Sequence, residues 1–407
     1  MIEKDDRPSG HQPLDHAALL LTAGDADSHF TYQPSDSSAE RFDLIPPFGT
    51  PRVLVPINPR SRRAAIELFA GRSVERFSHR AAVRAAPLLS AMSPRSRVEL
   101  TTVDSTSMLP MRSFISDALD RSDFELVVRL GAARPNGKLV VAAVDNEAGR
   151  ALAFFKFGQR GITDHLVRHE SEVLQQLATA DLPVVIPEVL YAGMWSEMHV
   201  LATRAIDATR LPDDSSHPHR IADAIAASSA SFTARLAVSP NWIRTKQRAD
   251  GVRTAKAAPL LSVAIDFVEQ TWGDRSIEHA RGHGDWIRPN LGACGGRLIA
   301  LDWERSEPDL PRGLDNAHFS LFDVVRSRRM WRRLSAERVA AATEQAISNT
   351  DLWAGDAPLL ATLNLIEMVL RFAEAEMVGV DTPDRSYAPL LVEMIDQHRP
   401  TPSTSRS

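Results

Sequence analysis

The chain has 407 residues, enough for two or three compact units, and its 43% hydrophobic and 24% charged residues are an ordinary globular balance. A formal net charge of -5 argues against nucleic acid or an anionic membrane surface as the main partner, and no apolar run approaches the roughly 20 residues that span a bilayer. The single cysteine, Cys294, excludes an intramolecular disulfide framework, and "MIEKDDRPSGHQPLD" lacks the features of a secretory signal, so the expected compartment is cytoplasmic.

Residues 1–41 are rich in Asp, Ser, Pro and Gly apart from "HAALLL", and are expected to be mostly flexible, as is the tail 399–407. From "PRVLVPI" the chain reads strand-like, then helical through "SRRAAIELFAG" and "SVERFSHRAAVRAAPLLSAM", giving an N-terminal α/β extension over 42–114. The arginines here (Arg60, Arg62, Arg63, Arg72, Arg76, Arg80 and Arg84) fit a solvated helix face better than a phosphate site, given the acidic whole.

In "FELVVRLGAARPNGKLVVAAVDNEAGRALAFFKFG" three β-prone runs are separated by the turn signals "ARPNGK" and "DNEAG". A helix follows in "ITDHLVRHESEVLQQLATA", with Thr163 or Asp164 as cap and Leu166, Val173, Leu174 and Leu177 as its apolar stripe. "PEVLYAGMWSEMHVLATRAI" then predicts two more strands, so 115–206 reads as a five-stranded sheet with one helix inserted after the third strand. Over 207–398 helical patterns dominate: "RIADAIAASSASFTARLA", "PLLSVAIDFVEQTW", "AERVAAATEQAIS" and "LLATLNLIEMVLRFAEAEMVG". A β-rich lobe followed by a larger α-rich lobe is an α+β, two-lobed plan.

The segment 282–319, "GHGDWIRPNLGACGGRLIALDWERSEPDLPRGLDNAHF", is a strand-and-loop insertion among those helices. Phosphoryl transfer from ATP asks for a carboxylate beside the acceptor hydroxyl, oxygen ligands for magnesium, and a lysine on the phosphates held by a glutamate. Asp285 is the candidate for the first, Asn290 and Asp302 for the second, and Lys156 in "ALAFFKFG" with Glu170 in "RHESEVLQQL" for the third. A lysine in so apolar a strand is otherwise expensive. The competing readings are a turn-capping Asp285, a strand-end Lys156 reaching solvent, and exposed helix charges at Glu170 and Glu172. His283 reads as a structural hydrogen-bonder. "PDDSSHPHR" gathers Asp213, Asp214, His217 and His219 without regular metal-ligand spacing, and Cys294 reads as a small packed side chain.

His283, Gly284, Asp285, Asn290 and Asp302, as "HGD…N" followed by "LDWE", resemble the aminoglycoside phosphotransferase and choline kinase-like family, a branch of the protein-kinase-like fold. The longer pattern through "GLDNAHF" is similar to actinobacterial phosphotransferase-like proteins with an N-terminal extension. The resemblance covers roughly residues 115–395 and implies a catalytic loop within 282–304. It also implies that Asp315 supports that loop from behind, and that "VLATRAI" is a hinge strand, with Leu201 and Thr203, whose backbone meets adenine. "GAARPNGK" departs from the Gly-rich loop of protein kinases, and Trp286 and Pro289 add bulk to the catalytic loop.

The resulting expectation is an ATP- and Mg2+-dependent phosphotransferase acting on a hydroxyl of a small molecule (a sugar, an amino-alcohol or an aminoglycoside-like compound), with no nucleic-acid or membrane partner. The competing expectations are an inactive kinase-fold nucleotide-binding or scaffold protein, and a protein kinase, against which the short stretch between Asp302 and Asp315 counts. An aminoglycoside acceptor would favour an acidic groove; Glu367, Glu374, Glu376, Asp381 and Asp384 supply one, unless they form an exposed helix face.

Overall fold

The computed structural model describes residues 110–130, 138–158, 161–209, 217–326, 334–348, 350–379 and 387–398, with Ala17, Leu21, Leu211 and the segments 29–31, 41–45, 53–57 and 97–101. The arginine-rich stretch, the turn at 133–137, Asp213, Asp214, Asp381, Asp384 and the tail lie outside the described residues. Two compact units are present, one of residues 1–175 and 187–207, the other of 176–186 and 208–407.

The first unit is built on one antiparallel sheet. Its strands are β1 (His29–Thr31), β2 (Arg41–Ile45), β3 (Val53–Pro56), β4 (Arg97–Thr101), β5 (Phe124–Arg129), β6 (Leu139–Asp145), β7 (Ala151–Gly158), β8 (Val189–Trp195) and β9 (Met198–Arg204). The order is β1-β4-β2-β3-β5-β6-β7-β9-β8. The five strands expected of 115–206 are β5 to β9, and β3 pairs with β5 (Leu54 opposite Val128), which carries the four N-terminal strands into the same sheet. The β6–β7 turn forms as "DNEAG" predicts: Asp145 Oδ1 accepts the backbone N–H groups of Glu147 and Ala148 at 2.8 and 2.6 Å.

Alternation sorts the strand residues to two faces. On one face Ala153, Phe155, Phe157, Val200 and Ala202 pack with Met111 and Ile115 of helix α1 (Pro110–Leu119). Phe154 and Lys156 lie on the other, and Glu170 of helix α2 (Ile162–Leu177) meets that lysine.

The second unit is mostly helical: α3 (His217–Ala227), α4 (Pro240–Gly251), α5 (Ala258–Trp272), α6 (Leu314–Arg326), α7 (Ala336–Ile347), α8 (Ala357–Met377) and α9 (Tyr387–His398). Its core gathers Trp242, Phe267, Val268, Leu365, Ile366, Val369, Leu370, Leu391 and Met394. Two small sheets interrupt the helices. β10 (Phe232–Arg235), β11 (Ser276–Gly282) and β14 (Glu307–Pro311) form one, and the hairpin β12 (Leu291–Cys294) and β13 (Arg297–Ala300) the other.

Residues 220–237 do not form the single helix expected of them. The Ser228 and Ser229 hydroxyls donate to the carbonyls of Ile225 and Ala226 at 2.9 Å, ending α3, and Phe232–Arg235 becomes a strand against β11. Serine competes for helix backbone groups in this way, and the alanine-rich pattern concealed it. Cys294, expected to be packed, is exposed at the hairpin end. No helix among the described residues is long and apolar enough to cross a membrane.

Candidate active site

In the first unit Lys156 Nζ donates to both carboxylate oxygens of Glu170 at 2.7 Å. Glu170 is buried and Glu172, two residues on, is exposed toward Arg168. The pair stands because each charge compensates the other's desolvation; deleting one partner would strand a buried charge. Leu201 lies directly opposite Lys156 in the register and Thr203 opposite Phe154, so both share the lysine's face of the sheet. β9 is an interior strand, paired with β7 on one side and β8 on the other. Arg204 and Ala205 spend their N–H groups on Glu188 and Leu152.

In the second unit the catalytic-loop candidate is suspended from β11. Asp315, in the first turn of α6, accepts the backbone N–H groups of His283 and Gly284 at 2.6 and 2.8 Å. Gly284 has φ +76°, and a Cβ there would lie 2.0 Å from the Arg305 carbonyl oxygen, so only glycine fits. His283 is fully buried, its Nε2–H donates to the Leu301 carbonyl at 3.0 Å, and its Nδ1 accepts the Asp285 N–H at 3.2 Å. That arrangement uses both nitrogens of a neutral imidazole and orients the backbone of Asp285.

The Asp285 carboxylate is held from three sides. Oδ2 accepts from Asn290 Nδ2 at 2.8 Å, and Oδ1 meets Arg371 Nη1 at 3.0 Å and His318 Nε2 at 3.2 Å. Burial pushes its pKa up, but the His318 hydrogen bond and the Arg371 charge outweigh that and hold it well below the usual carboxylate range. Trp286 is fully buried and its indole N–H donates to the Pro218 carbonyl at 3.1 Å. Arg288 grips Asp323 at 2.6 to 2.8 Å and stacks on Phe319, pinning the outer part of the loop.

The hairpin brings Asn290 and Asp302 to one end. Leu291 pairs with Ala300, Leu301 N–H donates to the Asn290 carbonyl, and Asp302 follows. Gly295 and Gly296, at φ +57° and +79°, make the two-residue turn. Asp302 itself has φ +69°, a conformation non-glycine residues rarely adopt and one that clusters at functional sites. Asp302 and Glu304 each offer a carboxylate oxygen within 4.8 Å of the other. Asn290 spends its amide nitrogen on the carbonyl and carboxylate of Asp285, leaving Oδ1 with no hydrogen bond among the described residues. An all-oxygen set of this kind fits a hard divalent cation such as magnesium.

Arg371, His318, Arg305 and Glu304 were not read from the sequence as site residues. Nor do Glu367 and Glu374 form an open acidic groove or an exposed face. Arg248 binds Glu367 at 2.7 Å and Glu374 at 2.7 Å, and Arg371 Nε binds Glu367 at 2.8 Å. Burial works against the Glu367 charge, yet Arg248 and Arg371 hold its pKa well below the ordinary value. One signal was available: Glu367, Arg371 and Glu374 follow i, i+4, i+7 on a helix whose other residues are apolar apart from Thr362, Asn364 and Glu376. His219, from the proposed polar loop, packs edge-on against Phe319.

No protein-family model matches the sequence, and no curated protein matches it. Solved structures do. Choline kinase LicA from Streptococcus pneumoniae matches at 17% identity and a TM-score of 0.51, over 71% of this chain and 99% of that one. A choline kinase from Cryptosporidium parvum Iowa II is 12% identical with a TM-score of 0.48, over 70% and 94%. A thermostable mutant of aminoglycoside phosphotransferase APH(4)-Ia, in complex with ADP and hygromycin B, is 18% identical with a TM-score of 0.45, over 71% and 99%. At 17% identity the likeness to LicA speaks of fold. The chain has an α+β, protein-kinase-like fold, shared with choline kinase LicA.

Proposed function

We propose that this chain is an ATP-dependent phosphotransferase that moves the γ-phosphoryl group to a hydroxyl of a small molecule in the cytoplasm. The observation that carries the reading is the Asp285 carboxylate. Three of its four lone-pair positions are filled, two on Oδ1 and one on Oδ2, which leaves Oδ2 able to accept one more hydrogen bond. An acceptor hydroxyl donating there is aimed by a side chain that is itself immobilised. As the acceptor oxygen–phosphorus bond forms and the bond to the β–γ bridging oxygen breaks, the hydroxyl proton passes to Oδ2 and ADP leaves. A carboxylate held by Asn290, Arg371 and His318 fits a loose transition state in which orientation matters more than early proton removal.

Asn290, Asp302 and Glu304 are the residues proposed to hold magnesium. When bound, the ion neutralises charge on the phosphates. Lys156, kept in position by Glu170, would reach the α- and β-phosphates, and the hinge strand, with Leu201 and Thr203, would offer its backbone to the adenine. His283 and Asp315 support the loop. The N-terminal segment 42–114 is proposed as an extension of the β-rich lobe of 115–206, with 207–398 as the α-rich lobe.

Calorimetric titration with Mg-AMP-PNP, followed by ATP consumption with a panel of hydroxylated compounds, tests the reading. Magnesium-dependent binding that weakens at least tenfold in Asp302→Asn, with turnover on some acceptor, supports it. Nucleotide binding without any turnover favours the inactive scaffold instead.

A further inference from the structure

Two buried side chains on different helices form a line of hydrogen bonds that ends on Asp285. His318, on α6, is buried, with Nε2 3.2 Å from Asp285 Oδ1 and Nδ1 2.9 Å from Asn364 Oδ1. Asn364, on α8, is 1% exposed and stands between Leu363 and Leu365, where a polar amide is costly unless it is paired. Among the described residues its Nδ2 has no hydrogen-bond partner, so there the His318 ring alone accounts for the amide. A carboxylate can only accept, so Nε2 of His318 carries a proton. With Asn364 Oδ1 toward the ring, Nδ1 carries one too and the ring is an imidazolium. With the amide turned over, Nδ2 donates to Nδ1 and the ring is neutral. Asn364 therefore serves both charge states, and in both the Nε2–H stays on Asp285 Oδ1.

We infer that His318 and Asn364 are positioning residues acting in series on Asp285: His318 holds the carboxylate by Oδ1, which keeps Oδ2 for the acceptor hydroxyl, and Asn364 holds the ring of His318. This rests on the phosphotransferase reading above. The other two partners of the carboxylate are shared. Arg371 also serves Glu367 and the Gly284 carbonyl, and Asn290 Nδ2 also serves the Asp285 carbonyl. His318 spends Nε2 on Asp285 and comes from a different helix than Arg371, so it fixes the plane of a carboxylate that could otherwise turn about a single contact. A pair that merely fastened α6 to α8 would affect stability and leave turnover of the folded protein unchanged.

The test is a double-mutant cycle on the full chain, read as kcat on one acceptor below the unfolding transition of every variant. Asn364→Leu and His318→Leu are each expected to lower kcat roughly tenfold or more, with Mg-AMP-PNP affinity unchanged. His318→Gln, whose amide can still donate to Oδ1, is expected to recover part of the loss. Asn364→Leu added to His318→Leu is expected to cost nothing further, because the first residue acts through the second. Unchanged kcat in either single variant, or losses that multiply in the double variant, overturns the inference. Imidazole 15N–1H NMR gives a readout that needs no turnover. The His318 Nε2–H signal, assigned by its loss in His318→Gln, is expected to persist from about pH 6 to about pH 9. Its exchange with water is expected to quicken roughly tenfold in Asn364→Leu. An Nε2 without a proton, or exchange that Asn364→Leu does not alter, also overturns it. Failure of the phosphotransferase reading looks different: no magnesium-dependent nucleotide binding and no turnover by the unaltered protein, while the Nε2–H signal still depends on Asn364.

Discussion

Arg371 engages Asp285 and its neighbour at once, with Nη1 3.0 Å from Asp285 Oδ1 and Nη2 donating to the Gly284 carbonyl at 2.6 Å. The same guanidinium is anchored through Nε on Glu367, so α8 and the loop after β11 are joined by one charged side chain. Arg371→Met is expected to cost roughly 3–5 kcal/mol, because Glu367 and Asp285 each lose a buried counter-charge. Adding Glu367→Gln to that variant is expected to restore part of the stability and none of the turnover. Denaturant midpoints and ATP consumption on both proteins check this.

Asp315 supports two backbone N–H groups. In Asp315→Ala both are left without an acceptor, at roughly 1–3 kcal/mol each. The loop then loses its orientation, so kcat is expected to fall at least tenfold while Mg-AMP-PNP affinity changes little. Turnover and calorimetry separate the two effects.

Gly284→Ala places a methyl group 2.0 Å from the Arg305 carbonyl oxygen, at φ +76°. A destabilisation of about 3 kcal/mol is expected from backbone strain and overpacking together. The melting temperature measures it, and the neighbouring Gly295→Ala, with open space around its Cα, is the control for the φ effect alone.

These positions differ in how far the sequence disclosed them. The Lys156–Glu170 contact was legible because each residue sits in a strongly patterned element and the separation is only 14 residues. The hairpin joining Asn290 to Asp302 was legible from "GG" between two apolar runs. The Arg371–Asp285 contact spans 86 residues and depends on how α8 packs, which no local pattern encodes. β10 and the joining of β1 to β4 onto the sheet were missed for a related reason: strand pairing is decided by a distant partner, while the alanine-rich stretch before β10 locally favours helix.

Acid stability offers a further check. The folded-state pKa of Glu367 lies below its ordinary 4.5, the opposing burial being outweighed by Arg248 and Arg371. The unfolded chain therefore takes up the proton first as pH falls, so the pair's stability is present above about pH 4.5 and is lost progressively below it. Glu367→Gln is expected to be less stable at neutral pH and to show a shallower loss of melting temperature on acidification. Equal slopes for the two proteins would contradict this assignment.

The most direct measurement is magnesium-dependent phosphoryl transfer by Asp285→Asn, compared with the unaltered protein on the same acceptor. The account predicts that Mg-AMP-PNP binding survives, the fold is retained, and turnover drops by about 10²–10⁴. Turnover equal to that of the unaltered protein would contradict it.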